Sequence, residues 1–180
     1  MKMENQPLLK KVFYQKTNIM SLDEVDEILK VFHSKDWSKY YDFHNEIWKK
    51  NIWLSIGNLE EFSFVKKIIN QDLMKINKEY FVSDWITFLI YKENDFFGLH
   101  KDDNIQYGKS EKKILYSGGY LLNNKFQGGE FLVNNQKIQK NVGELFFFDR
   151  KIPHEVTKIE SGIRYSLHFA IETFNKKTII

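Results

Sequence analysis

The spacing of apolar positions divides the chain into two halves. In "SLDEVDEILKVFHS", residues 21–34, Leu22, Val25, Ile28, Leu29 and Phe32 recur at helical spacing, and Ser21 with Glu24 forms a capping box. "NLEEFSFVKKIINQDLMKINKEY", residues 58–80, predicts a second, longer helix, with Asn58 and Glu61 as its cap and Leu59, Phe62, Val65, Ile69 and Leu73 along one face. The aromatic-rich stretch between them, "WSKYYDFHNEIWKKNIW" (37–53), fits neither the helical nor the strand period. From about residue 81 the character changes. "DWITFLIYK", "KILYSGGYLL", "GEFLV", "GELFFF" and "IRYSLHFAIE" are β-branched and aromatic, and "NNKFQGG", "VNNQ" and "IESG" punctuate them as turns. The expected fold is mainly β with N-terminal helices (α+β), an antiparallel sandwich or barrel of short strands with two helices covering one sheet. No repeat or low-complexity segment interrupts it. One domain over 1–180 is expected, with helical support over 1–80 and a β core over 81–174.

Composition narrows the chemistry. Apolar residues make up 42% of the 180, and aromatics 16%, enough side-chain bulk for a sizeable core. There is no cysteine, so disulfides and thiolate sites are excluded, and any metal must be held by His, Asp or Glu. Net charge is only +3 and neither half forms a basic block, which argues against a nucleic-acid partner. The first residues carry no apolar run typical of a signal peptide, and no 18-residue apolar stretch exists anywhere. A cytoplasmic protein without a membrane partner is expected. The chain has 25 lysines but two arginines, Arg150 and Arg164. An arginine here marks a position that wants planar, forked donors.

The candidate chemistry begins at "FGLHKDDN". In an extended segment His100 and Asp102 point to one face and can bind one ion together. Asp103 is a rival, but its parity faces the other way. His154, in the loop of "RKIPHEV", offers a third ligand. Two imidazoles and one carboxylate leave three positions open on an octahedral ion, the pattern of non-haem Fe(II) oxygenases. Zinc hydrolases use similar ligands, but usually with a His-Glu spacing on a helix that this chain lacks. Arg164, ten residues beyond His154, can hold the far carboxylate of a 2-oxoglutarate whose keto acid chelates the ion. Ser166, on the same strand face, adds a hydroxyl.

From about Ile86 to Ile171 the sequence resembles the 2-oxoglutarate- and Fe(II)-dependent dioxygenases, in their prolyl 4-hydroxylase-like branch. "YKENDFFGLHKDD", "GYLLNNKFQGGEF" and "VGELFFFDRKIPHEVTKIESGIRYSLHFAI" carry the resemblance. It implies a double-stranded β-helix (jelly roll) with the metal at one mouth. It implies His100, Asp102 and His154 as iron ligands and as the catalytic set, Arg164 as the residue holding 2-oxoglutarate, and Tyr91 as a lining residue beside that cosubstrate. His168 shares the face of Arg164 and Ser166 and is placed with the cosubstrate too. The implied reaction consumes O2 and 2-oxoglutarate, releases succinate and CO2, and hydroxylates an unactivated C–H, with ascorbate as an accessory reductant. Asp102 argues against halogenation, for which relatives carry a small residue there. Two departures stand out: Leu121 occupies a position where the family often has tyrosine, and Arg164 one where many prolyl hydroxylases have lysine.

The expected substrate is an amino-acid residue in a peptide or protein, proline first, with "YKENDFF" on the rim of the groove and 103–113 as a lid over it. Alternatives are a free amino acid or small metabolite, a nucleic acid to be demethylated, and a non-enzymatic jelly-roll binding module. Ala170 stands where the demethylases usually carry a second arginine. His33 and His44 are read as surface or packing residues, Arg150 as a surface ion pair, and Gly128-Gly129 as a tight turn.

Overall fold

A computed structural model gives the architecture and describes residues 17–102, 112–138 and 141–174. Helix α1 (Leu22–His33) starts on the expected capping box: Ser21 Oγ accepts from the Glu24 amide at 3.2 Å, and the Glu24 carboxylate accepts from the Ser21 amide at 2.8 Å. It buries Val25, Ile28 and Phe32, whereas Leu22 in its first turn stays exposed. Helix α2 (Ser63–Ile76) is shorter than the periodic pattern suggests. A 3-10 turn, Glu60–Phe62, precedes it, and no side chain caps it. Glu61, expected in the cap, pairs instead with Lys35. At the other end Asn77 ends the helix by accepting the Glu79 amide on its own side chain at 3.0 Å.

The strands are β1 (Thr17–Ile19), β2 (Tyr41–Glu46), β3 (Lys49–Ser55), β4 (Phe81–Tyr91), β5 (Phe96–His100), β6 (Lys112–Leu121), β7 (Phe126–Gly128), β8 (Phe131–Val133), β9 (Gln136–Lys137), β10 (Glu144–Asp149), β11 (His154–Val156), β12 (Ile159–Gly162) and β13 (Arg164–Phe174). The ambiguous stretch 37–53 is thus largely the hairpin β2–β3. Its connection is Ile47-Trp48, which carries none of the usual turn residues, so pattern alone could not show it. By contrast Asn134 and Asn135 both take the left-handed conformation that the two-residue hairpin between β8 and β9 requires. Gly128 and Gly129 are left-handed as well, in keeping with the turn expected there.

Ten strands run in the order β1-β10-β6-β13-β4-β3-β5-β11-β8-β9, with β2 on the outer side of β3, and β7 pairs with β12 separately. Every strand pair is antiparallel, and the sheet curls into a jelly-roll double-stranded β-helix. Alternation sorts the side chains into two cores. Phe88 and Ile90 of β4 face the helices, with Val65, Ile69, Leu73 and Phe169. Leu89 and Tyr91 face the interior of the curl, with Phe131, Phe146, Phe148 and Val156. Among the described residues no helix is long and apolar enough to cross a membrane.

One polar pin fastens α2 to the sheet. Asp72 lies on the buried face of α2, where its carboxylate accepts from Tyr120 Oη at 2.8 Å and from Lys75 Nζ at 3.0 Å. Burial and the neighbouring carboxylate push the Tyr120 hydroxyl well above the usual tyrosine range, which keeps it protonated as a donor. Tyr120→Phe leaves a buried carboxylate short of one partner and is expected to cost about 1–3 kcal/mol. The denaturant midpoint should fall with no change of slope, since no additional surface is exposed on unfolding.

Candidate active site

The interior of the curl collects the residues that the sequence marks out. Strand β5 ends on His100, and Asp102 follows in a bend. His154 opens β11, where it stands opposite His100 on one side and Val133 on the other. It is therefore a strand residue, not a loop residue. A three-residue strand directly behind Pro153 gives almost no strand signal in sequence. The three side chains offer ligand atoms that all lie within 4.8 Å of one another. His100 Nε2 is 3.6 Å from Asp102 Oδ1, and His154 Nε2 is 3.5 Å from Asp102 Oδ2.

Their surroundings prepare these atoms for a cation. His100 Nδ1 is 2.8 Å from the Gly98 carbonyl and His154 Nδ1 is 3.0 Å from the Ile152 carbonyl. A carbonyl only accepts, so each Nδ1 carries the proton and each Nε2 turns a lone pair inward. Burial pushes the His154 imidazole down to about 4, against the pull of Asp102, so it is neutral near neutral pH. Burial pushes Asp102 upward, but the imidazoles of His168, His154 and His100 and a hydrogen bond from Ser117 Oγ outweigh it. The carboxyl is held below its ordinary range. Two imidazoles with their Nε2 atoms turned inward and an ionised carboxylate on one concave wall suit a divalent ion with open coordination positions.

Arg150 is half-buried and also holds the segment that carries Asp102. Its guanidinium donates to the Asp102 carbonyl at 2.5 Å, and its own carbonyl accepts the Asp102 amide at 2.9 Å. The turn after β10 thereby fixes the backbone of the bend that carries Asp102. One of these contacts is side chain to backbone and the other backbone to backbone, both across 48 residues, and no residue-type pattern announces them.

The other end of the cavity is cationic. Arg164 opens β13 opposite Tyr91 of β4, and only 2% of it is exposed. Its Nη1 donates to Ser166 Oγ at 2.7 Å, and its guanidinium lies 5.3 Å from the centre of the Tyr91 ring. Among the described residues no carboxylate pairs with it, and neither Arg164 Nε nor Tyr91 Oη has a hydrogen-bond partner. Burial lowers the basicity of the guanidinium, and burial raises the Tyr91 hydroxyl. A buried cation without a counter-ion, beside an orphaned hydroxyl, fits an anionic ligand. Gly129 makes room for it: a Cβ there would meet Arg164 Cδ at 3.2 Å and Ile159 Cδ1 at 2.2 Å. Leu121, opposite Ser166 on β6, adds no polar group at that end.

His168 sits two residues beyond Ser166 but at the metal end. Its Nε2 is 3.6 Å from Asp102 Oδ2, and its ring meets Trp85 edge-on at 5.2 Å. All seven sequence-marked residues therefore border one cavity. Its apolar walls include Phe97 of "YKENDFF", and Trp53 and Trp85, which the sequence did not single out. Phe97 stacks on His100 at 4.0 Å. The rest of "YKENDFF" is not rim: Lys92–Asp95 forms a turn in which the buried Asp95 accepts the Lys92 amide at 2.8 Å. The β2–β3 tip lies closer to the metal end: the Trp48 ring is 5.5 Å from that of Phe97 and 6.4 Å from that of His100. The Gly98 amide ties that tip to β5 by donating to the Trp48 carbonyl at 2.7 Å. His33 packs edge-on against Phe32 and Tyr165 away from the cavity, and His44 against Trp53. Residues 103–111 of the expected lid, with Asp103, lie outside the described residues.

Comparison with known proteins agrees with this arrangement. The family model of the 2OG-Fe(II) oxygenase superfamily matches residues 86–172. No curated protein sequence matches the chain. Among solved structures, a Pseudomonas putida prolyl-4-hydroxylase is similar at 17% identity and a TM-score of 0.67, over 93% of this chain and 96% of that one. A Trichoplax adhaerens prolyl hydroxylase, in complex with a peptide fragment of the hypoxia inducible factor oxygen degradation domain, is 16% identical with a TM-score of 0.67, over 94% and 86%. The non-haem α-ketoglutarate-dependent carbocyclase SnoK from nogalamycin biosynthesis shares the fold at 9% identity and a TM-score of 0.68, over 91% and 81%. The matched segment runs from β4 through β13, across both ends of the cavity, so the part of the chain that builds the site is the part similar to the 2OG-Fe(II) oxygenase superfamily, whose members use Fe(II), 2-oxoglutarate and O2.

Proposed function

We propose that this enzyme hydroxylates an amino-acid residue of a peptide or protein, proline first, with 2-oxoglutarate converted to succinate and CO2. His100, Asp102 and His154 are the residues for Fe(II). Arg164, Ser166 and Tyr91 serve the far carboxylate of 2-oxoglutarate, and His168 stands where the keto-acid end would lie. Bound there, iron and cosubstrate supply the oxidising power that breaks an unactivated C–H bond. The protein's own part is to orient and to exclude water. Arg150 and Ser117 hold Asp102, the carbonyls of Gly98 and Ile152 fix the imidazoles, and Trp53, Trp85 and Phe97 keep the walls apolar.

The observation that carries the reading is the buried, carboxylate-free Arg164 at one end of a cavity whose other end presents two neutral-ready imidazoles and a carboxylate. The peptide part rests on the rim. Ile47 is fully exposed and Trp48 is 45% exposed, and the Trp48 ring lies 6.4 Å from that of His100. Such a patch beside a cavity suits an extended chain with one side chain inserted. The Trichoplax relative with its peptide supports the same class of substrate.

The test is incubation with Fe(II), 2-oxoglutarate, heavy-oxygen-labelled O2 and matched proline-containing peptides and free amino acids. A labelled hydroxyl on a peptide residue, with one succinate per hydroxylation, is expected. Coupled turnover with a free amino acid or other metabolite alone would remove the peptide assignment and leave the metal and cosubstrate assignments standing.

A further inference from the structure

A row of polar side chains runs behind the cosubstrate end of the cavity. Arg164 of β13 lies opposite Tyr91 of β4. Strand β3 is the next neighbour of β4, with Ile52 opposite Ile90, so the same register carries Asn51 beside Tyr91. On the far side Asn51 stands opposite His44 of β2. Asn51 is 2% exposed, and neither its amide nitrogen nor its amide oxygen has a hydrogen-bond partner among the described residues. The Asn51 amide is close enough to the Tyr91 hydroxyl to favour its ionised form, yet the pair does not reach hydrogen-bond geometry. His44 Nε2, at the outer end of the row, is buried and equally unpartnered.

A wholly buried amide with both atoms unused is costly. An apolar residue of the same shape would serve the fold better at that position. Asn51 does not line the cavity, so it cannot reach a ligand there directly. Tyr91 does line it, and the free hydroxyl of Tyr91 lies between Asn51 and the Arg164 end. We propose that Asn51 is a positioning residue that acts through Tyr91. When a dicarboxylate keto acid occupies the cavity, the Tyr91 hydroxyl donates to the far carboxylate beside Arg164. The Asn51 amide nitrogen then donates to the Tyr91 oxygen and holds the hydroxyl on that line. The bond is made when the cosubstrate orders the row. This inference rests on the assignment of Arg164 and Tyr91 to the far carboxylate.

The test is calorimetric binding with the Mn(II)-loaded enzyme, without turnover, of 2-oxoglutarate and of pyruvate, which keeps the keto acid and lacks the far carboxylate. Asn51→Leu should weaken 2-oxoglutarate by about tenfold, the size of one lost hydrogen bond to a charged system. Pyruvate and Mn(II) affinity should not change. Tyr91→Phe should give a similar selective loss, and the double variant no more than the larger single one. Asn51→Leu should also unfold at a temperature no lower than the parent, because it removes an unsatisfied buried amide. Should leucine prevent folding, Asn51→Ala is measured with the same expectation. Equal losses for pyruvate and 2-oxoglutarate, additive losses in the double variant, or an unchanged 2-oxoglutarate affinity would each overturn the proposal. If Arg164→Lys weakens 2-oxoglutarate while Asn51→Leu does not, only the role of Asn51 fails. If the parent binds no 2-oxoglutarate, the assignment it rests on fails with it.

Discussion

His154→Ala is expected to abolish the weak visible charge-transfer band that anaerobic Fe(II) and 2-oxoglutarate give with the parent enzyme, and with it all turnover. The side chain offers one of the three candidate ligand atoms and is itself buried, with its Nδ1 already committed to the Ile152 carbonyl. Disturbing a group that merely orients a ligand typically costs 10–100-fold in metal affinity, and removing the ligand itself should cost more. His100→Ala and Asp102→Ala should act alike. The backbone pairing of β11 with β5 and β8 does not depend on the imidazole, so the fold should persist and far-ultraviolet circular dichroism should be unchanged. The alanine also leaves a gap against Phe148, whose ring meets His154 at 4.6 Å, so a modest fall in unfolding temperature is consistent with the assignment. A band of full strength in any one variant would take that residue out of the ligand set.

That His100, Asp102 and His154 come together was legible in the sequence because the chemistry of a metal site leaves few substitutes. In a chain without cysteine, His100, Asp102 and His154 had to be the residue types they are, and two-residue spacing in an extended segment places the first pair on one wall. Arg164 was legible for a related reason, since a lysine-rich chain had put a fork where a point charge is its habit. The capping box of α1 was equally local and equally plain. What escaped was set by pairing between distant strands. The tip Ile47-Trp48 carries no turn chemistry and is fixed by an amide of β5. Asn51 has no meaning until β3 is laid beside β4, forty residues on in the chain. Arg150 works through backbone groups, which no residue type displays. The helix 58–80 was over-extended because Leu59 and Phe62 keep the apolar period while the backbone there is a 3-10 turn.

Arg164→Lys should raise the apparent constant for 2-oxoglutarate by a large factor while leaving the protein folded and iron bound. Lysine keeps a positive charge near the same place, so the change isolates the fork from the charge. The guanidinium spends Nη1 on Ser166 Oγ and leaves Nε unpartnered among the described residues, with Cζ 5.3 Å from the centre of the Tyr91 ring. Two parallel donors onto one carboxylate are what a planar group provides and an ammonium cannot. The loss expected is about 1–3 kcal/mol of cosubstrate affinity, roughly fivefold to more than a hundredfold. Lysine keeps the positive charge and most of the reach, so turnover should recover when 2-oxoglutarate is raised. Space decides how fully. Gly129 opens the wall beside Arg164 Cδ, and the flexible lysine stem gains freedom in that gap which it must lose again on binding. Steady-state kinetics against 2-oxoglutarate, with the metal saturating, reads the result directly. An unchanged constant would mean that the far carboxylate is held by some other group, and the buried guanidinium would then need a different counter-ion.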